Sequence, residues 1–265
     1  MLTHPYITSA IMGLVEGLTE FLPISSTGHL ILAGELMKFE GEVAKTFEVF
    51  IQLGAILAVL LSYRTTFLNL LVAPSDKGFR GANGLVLLLL STVPALIGGL
   101  LGHGFIKEHL FNSHTVAIGL AVGGAWILLA ERFHHNHAPR ELERMTWKMA
   151  LGIGLFQCLA LWPGMSRSTC TILGGLWLGL SRKAATEYSF FAAVPLLSAA
   201  CLYDLLHNFH LLDAQTLPLF VIGLVVAFIS AWLAIRFLIH FVAHHTLAAF
   251  GWYRLALAGL VLWLL

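Results

Sequence analysis

The chain is 265 residues long, 58% hydrophobic and 11% charged, with a net charge of +1 and a mean hydropathy of +0.85. A soluble domain carries about 25% charged residues, so this balance points to a polytopic membrane protein and away from a soluble enzyme. Near-neutral charge excludes nucleic acid or a general anionic surface as partner, and the N-terminal MLTHPYITSA lacks the basic run that opens a cleavable signal peptide.

In chain order, apolar stretches fall at about 6–22, 28–37, 48–63, 84–102 and 114–130. After a charged segment they recur at 148–161, 169–180, 186–203, 217–239 and 247–265. A bilayer-crossing helix takes roughly 17–25 mainly apolar residues, and six of the ten stretches qualify. The pair around Pro23 and the pair around Pro163-Gly164 are too short or interrupted, so each reads as a re-entrant hairpin of two half-helices. The predicted fold is therefore an all-α integral membrane protein forming a single domain over 1–265. It comprises two five-helix units, about 1–132 and 145–265, each a re-entrant hairpin followed by three transmembrane helices.

The two units echo each other in sequence. GLVEGLTEFLPISST (13–27) resembles GLFQCLALWPGMSRST (154–169) with one residue inserted, and FEVFIQLGAILAVLLSY (47–63) resembles TEYSFFAAVPLLSAACLY (186–203). Three spans between the hairpins make the second unit inverted. Basic residues concentrate on one side, at Arg64, Lys77, Arg80, Arg132, Arg140, Arg144, Lys148, Arg182, Lys183 and Arg236. The other side has Lys38, Lys45 and Lys107. The richer side is expected in the cytoplasm, with both termini outside. Inverted repeats build their sites where broken helices meet near the midplane.

Polar side chains gather at those two turns. Glu16 and Glu20 are spaced i, i+4, on one face of the first half-helix, where two carboxylates can hold a hard divalent cation or one can act as a base. Ser25, Ser26 and Thr27 open the second half-helix and His29 follows one turn in. Capping accounts for one hydroxyl, not three, and a helix N-terminus is a natural phosphate cradle. The second turn, PGMSRST, repeats the device: Gly164 permits a tight bend, Ser166 and Ser168 cap, and Arg167 offers a fork suited to phosphate. Two helix N-termini, an arginine, a serine, a histidine and two glutamates fit phosphoryl transfer. The nucleophile stays open at this point: Ser26 with Glu20 or His29 as base, His29 itself, or an activated water.

EGLTEFLPISSTGHL with PGMSRSTCT resembles the bacterial undecaprenyl-diphosphatase family. Its patterns are an E-x-x-x-E segment running into a serine-rich turn with histidine, and P-G-x-S-R-S-x-x-T. They are complete here as Glu16, Glu20, Ser26 and His29, and as Pro163, Gly164, Ser166, Arg167, Ser168 and Thr171. The resemblance implies hydrolysis of undecaprenyl diphosphate to the monophosphate in the bacterial inner membrane, recycling the carrier lipid for cell-wall synthesis. It further implies dependence on a divalent cation (Mg or Ca) at Glu16 and Glu20, an outward-facing site and a link to bacitracin resistance. Expected partners are a polyprenyl diphosphate lipid and the bilayer, with a homodimer as the candidate assembly. The rival reading is an inverted-repeat secondary transporter or lipid flippase.

Other features carry less. HHNH at 134–137 reads as a solvated loop, His240 and His244 as interfacial anchors, and Trp and Tyr near span ends as interface belts. Glu48 and Glu187 are expected at span starts, as partners of helix dipoles or supports of the site. Cys158, Cys170 and Cys201 have no metal-type spacing and read as packing residues.

Overall fold

The computed structural model describes residues 4–74, 78–110, 112–133 and 139–264. Among them are the helices α1 (Pro5–Thr19), α2 (Ser26–Met37), α3 (Glu42–Ser62), α4 (Arg64–Val72), α5 (Gly81–Phe105) and α6 (Ser113–Phe133). There follow α7 (Trp147–Cys158), α8 (Arg167–Trp177), α9 (Arg182–Asn208), α10 (Leu217–His244) and α11 (Ala248–Leu264). The described residues contain no strand, only an isolated bridge between Arg140 and Leu180. Local chemistry sets the starts. Pro5 opens α1, where its missing N–H costs nothing. Ser25, Thr146, Ser166 and Ser181 cap α2, α7, α8 and α9, each side-chain oxygen accepting from the N–H three residues on.

Five helices (α3, α5, α6, α9 and α10) are long and apolar enough to cross a membrane. Their outward faces carry exposed Leu89, Leu101, Leu206, Leu233 and Phe237, which a lipid solvent tolerates and water does not. The protein is thus an all-helical, multi-pass membrane protein. The stretch expected as a sixth span, 247–265, is the 17-residue α11, at the lower bound of a spanning length.

Packing crosses between the two halves. α1 lies along α10 and α7 along α5, while α6 pairs with α11 and α3 with α9. Small residues permit this closeness: a Cβ on Gly154 of α7 would stand 2.8 Å from the Ser91 carbonyl oxygen of α5, and one on Gly13 would strike the Gly223 carbonyl of α10. One buried cluster holds Phe21, Phe79, Tyr188, Phe190 and Phe191, and a second holds Met12, Phe47, Ile51 and Phe220.

Two expectations need adjustment. The connection 64–80 contains α4, whose Leu70 is buried while Leu68, Leu71 and Val72 are exposed, the pattern of a helix lying in the interface. α3 begins at Glu42 and α9 at Arg182, so Glu48 and Glu187 sit beyond the first turn and are not dipole partners of the helix start. HHNH at 134–137 lies outside the described residues.

Candidate active site

The two broken turns face each other at the junction of α1, α2, α7 and α8. α1 closes with Glu20 N–H donating to Glu16 O at 2.9 Å, and the chain turns through Pro23 to Ser25. On the other side a 3-10 turn over Leu159–Leu161 leads through Gly164 (φ +93°) to Ser166. Ser25 and Ser166 both have φ +70°. That region costs an L-residue about 1–3 kcal/mol and persists only where the surroundings impose it. Here each serine caps the helix after it: Ser25 Oγ accepts from Gly28 N at 3.4 Å and Ser166 Oγ from Thr169 N at 3.3 Å. Ser25 and Ser166 thus share backbone conformation and capping role, and the residues that follow them are Ser26 and Arg167. With Ser25 set against Ser166, Pro23 falls opposite Gly164, and the inserted residue assumed between 13–27 and 154–169 is not needed.

One buried chain of bonds joins the turns. Ser26 Oγ donates to Glu20 Oε2 at 2.6 Å, and Arg167 Nη2 donates to Glu20 Oε1 at 3.1 Å. The ion pair is about nine-tenths buried on both sides, with side-chain exposures of 8% for Arg167 and 7% for Glu20. Arg167 Nη1 donates to Ser189 O at 2.9 Å, and its guanidinium carbon lies 5.7 Å from the centre of the Phe21 ring. Thr171 Oγ1 stands 2.7 Å from Ser189 Oγ and 2.9 Å from Arg167 O, so α8 and α9 together fix the arginine. Ser168 Oγ donates to Leu22 O across the junction at 2.8 Å, and Ser166 Oγ lies 2.9 Å from it. Thr27 is partly buried in the first turn of α2.

Two groups in this junction have unmet polar capacity. Glu16, one turn before Glu20 and 0% exposed, has no hydrogen-bond partner for either carboxylate oxygen among the described residues. Arg167 Nε is likewise buried without a partner. Buried polar atoms are nearly always satisfied, so a lone carboxylate and a lone guanidinium N–H ask for a cation or proton and for an acceptor. Carboxylate oxygens from Glu16 and Glu20 are the hard donors that suit Mg or Ca. No cluster of three or more His, Cys, Asp or Glu suited to a metal occurs among the described residues.

The structure places His29 apart from this chain. Its Nδ1 lies 2.7 Å from Ser25 O, which can only accept, so Nδ1 carries the hydrogen. Nε2 lies 2.7 Å from Tyr253 Oη, which donates to it when the ring is neutral, and the two rings are nearly parallel.

Three residues that take part escaped sequence reasoning. Ser189 and Tyr253 sit in runs that read as span and interface belt. Arg254, within the final apolar run, is 0% exposed and bonds to both turns. A lone arginine among apolar residues was the available signal.

Fold and junction together define a multi-pass membrane protein that buries an ion pair and a serine between two broken helices. Residues 9–260 match the family described as Bacitracin resistance protein BacA, and the chain belongs to that family. It is 53% identical to the undecaprenyl-diphosphatase of Maridesulfovibrio salexigens, over 96% of this chain and 97% of the relative. To the protein of the same name in Nitratidesulfovibrio vulgaris it is 54% identical, over 96% of each. For that of Nitrosomonas europaea the figures are 49% identity, over 97% of this chain and 93% of the relative.

Proposed function

We propose that the protein is an intramembrane phosphatase that hydrolyses undecaprenyl diphosphate to undecaprenyl phosphate and inorganic phosphate, recycling the carrier lipid for cell-wall synthesis. The observation that carries this is the buried Ser26–Glu20–Arg167 chain, in a sequence about half identical along its length to proteins named undecaprenyl-diphosphatase. The transporter reading is not favoured by those names.

Of the open nucleophile schemes, the geometry supports Ser26. Its Oγ–H already points at a Glu20 oxygen, so Glu20 takes the proton as Oγ attacks the terminal phosphorus and the bond to the bridging oxygen breaks. Undecaprenyl phosphate leaves, water then cleaves the phosphoserine, and inorganic phosphate departs as Ser26 recovers its proton. Arg167 balances Glu20 in the resting site and turns its free Nε edge to the phosphate as charge develops. The N–H groups opening α2 and α8, with Thr27, line the anion's place. Ser25, Ser166, Ser168 and Thr171 hold the turns in shape, and Gly164 provides the bend. A divalent cation held by Glu16 and Glu20 would supply charge neutralisation for the diphosphate when bound. His29, held by Ser25 and Tyr253, fixes the first turn of α2.

The finer architecture belongs to the same proposal: an inverted repeat, about 1–132 and 145–265, in the bacterial inner membrane with both termini outside and the site opening outward. It is supported by the matching order of short and long helices, the reciprocal packing of α1 on α10 and α7 on α5, the shared φ of Ser25 and Ser166, and the loop charges. A homodimer is its proposed assembly. The decisive experiment offers undecaprenyl diphosphate to purified protein and looks for phosphate release and a trapped phosphoserine. Ser26→Ala is expected to abolish both, and a fully active Ser26→Ala protein removes Ser26 from the reaction.

A further inference from the structure

Arg254 of α11 uses its whole guanidinium. Nε donates to Leu120 O at 3.2 Å. Nη1 donates to Thr169 Oγ1 at 2.8 Å and to Pro23 O at 3.4 Å, and Nη2 to Gly119 O at 3.1 Å and Gly164 O at 2.7 Å. Four backbone carbonyls and a hydroxyl therefore satisfy all five N–H groups of a fully buried cation, with no carboxylate among them. Burying an arginine is costly, and a neutral residue would fill such a place more cheaply were packing all that mattered. α6 makes room for it: a Cβ on Gly123 would collide with the guanidinium, and one on Gly124 would meet Arg254 Cβ at 3.1 Å.

What distinguishes these acceptors is where they lie. Pro23 belongs to the first broken turn, Gly164 to the second, and Thr169 to the opening of α8, while Gly119 and Leu120 tie the group to α6. We infer that Arg254 is the positioning residue of the site: one rigid fork grips both turns and sets the spacing between Ser26–Glu20 and Arg167. Among the described residues, Ser168 Oγ to Leu22 O is the other cross-junction bond outside the ion pair, and a single hydroxyl fixes one point rather than an orientation. Arg254 touches no reacting atom; it acts through the two backbones. This rests on the site proposed above.

The test uses full-length protein in detergent, with phosphate release measured across undecaprenyl diphosphate concentrations and melting temperature on the same samples. Arg254→Lys keeps the charge but has one head, able to reach one turn and not both. A misplacement of about 1 Å costs on the order of 10²-fold in turnover, so kcat should fall about that much in folded Arg254→Lys protein while KM changes little. Thr169→Val removes a single acceptor and should lower kcat about tenfold by the same route, with a modest drop in melting temperature from the N–H left unpaired. Wild-type kcat per folded molecule in Arg254→Lys overturns the inference; should that variant fail to fold, wild-type kcat in Thr169→Val overturns it. Arg167→Ala runs alongside to separate the two ideas. If Arg167→Ala stays active, the site itself is misplaced. If it is inactive while Arg254→Lys turns over normally, the positioning role alone is lost.

Discussion

Replacing Arg167 by alanine removes two things at once, and the structure lets them be told apart. The first is the partner of a buried carboxylate. Among the described residues Glu20 would keep only Ser26 as donor, and breaking a buried pair from one side costs about 3–5 kcal/mol, chiefly the penalty of the charge left behind. The second is the guanidinium edge proposed to meet the phosphate, whose loss would cost about 2.7–4 kcal/mol of transition-state stabilisation, or 10²–10³ in kcat, by analogy with deleting one preorganised donor. Arg167→Ala should therefore melt earlier and turn over at least a hundredfold more slowly. Adding Glu20→Gln makes the carboxylate neutral and should recover most of the melting temperature with no activity. Arg167→Lys should recover stability in part and remain severely impaired, since an ammonium cannot reach Ser189 O, Glu20 and a phosphate together. Phosphate release and thermal melting on the four proteins give the answer. Full turnover in well-folded Arg167→Ala, or activity returning with stability in the double variant, would refute a role for Arg167 beyond the ion pair.

Glu16→Gln should leave the fold intact or stabilise it, because both oxygens of the native carboxylate lack a partner among the described residues, while raising the divalent-cation concentration needed for half-maximal turnover. Titrating Mg or Ca into chelator-treated enzyme measures this, and an unchanged requirement would remove Glu16 from cation binding. Gly154→Ala should push α7 off α5 and cost about 1–3 kcal/mol, seen as a lower melting temperature, because its Cβ would lie 2.8 Å from Ser91 O.

Much of the fold was legible in the sequence for a single physical reason: hydrocarbon penalises every unpaired polar group, so apolar length and its interruptions mark helices and turns. The same penalty singled out Glu16, Glu20 and Arg167, and the structure does bury Glu20 and Arg167 against each other. The starts of α3 and α9 were read late because their first turns are polar and lie at the interface, where hydropathy falls although the helix continues. α4 was hidden in a segment whose charge outweighed its few leucines. Arg254 went unseen because it follows Trp252 and Tyr253, a neighbourhood that reads as the edge of a membrane. Only the approach of α6 and both turns reveals that it is enclosed. Nor could sequence assign His29 its partner, since Tyr253 lies at the far end of the chain.

The reciprocal packing of α1 on α10 also sets a timetable for making the protein. α1 ends at Thr19 and α10 begins at Leu217, so the ribosome adds roughly 200 residues before the first half-helix meets the surface it is shaped for. At about 5–20 residues per second that wait lasts on the order of 10–40 s. During it Gly13 and Gly17 have no helix to nestle against, and Glu20 has no Arg167. Until the second half arrives, the N-terminal pair of helices lacks the contacts that bury it in the finished protein. Birth order thus makes the junction of the two broken turns among the last parts of the molecule to close.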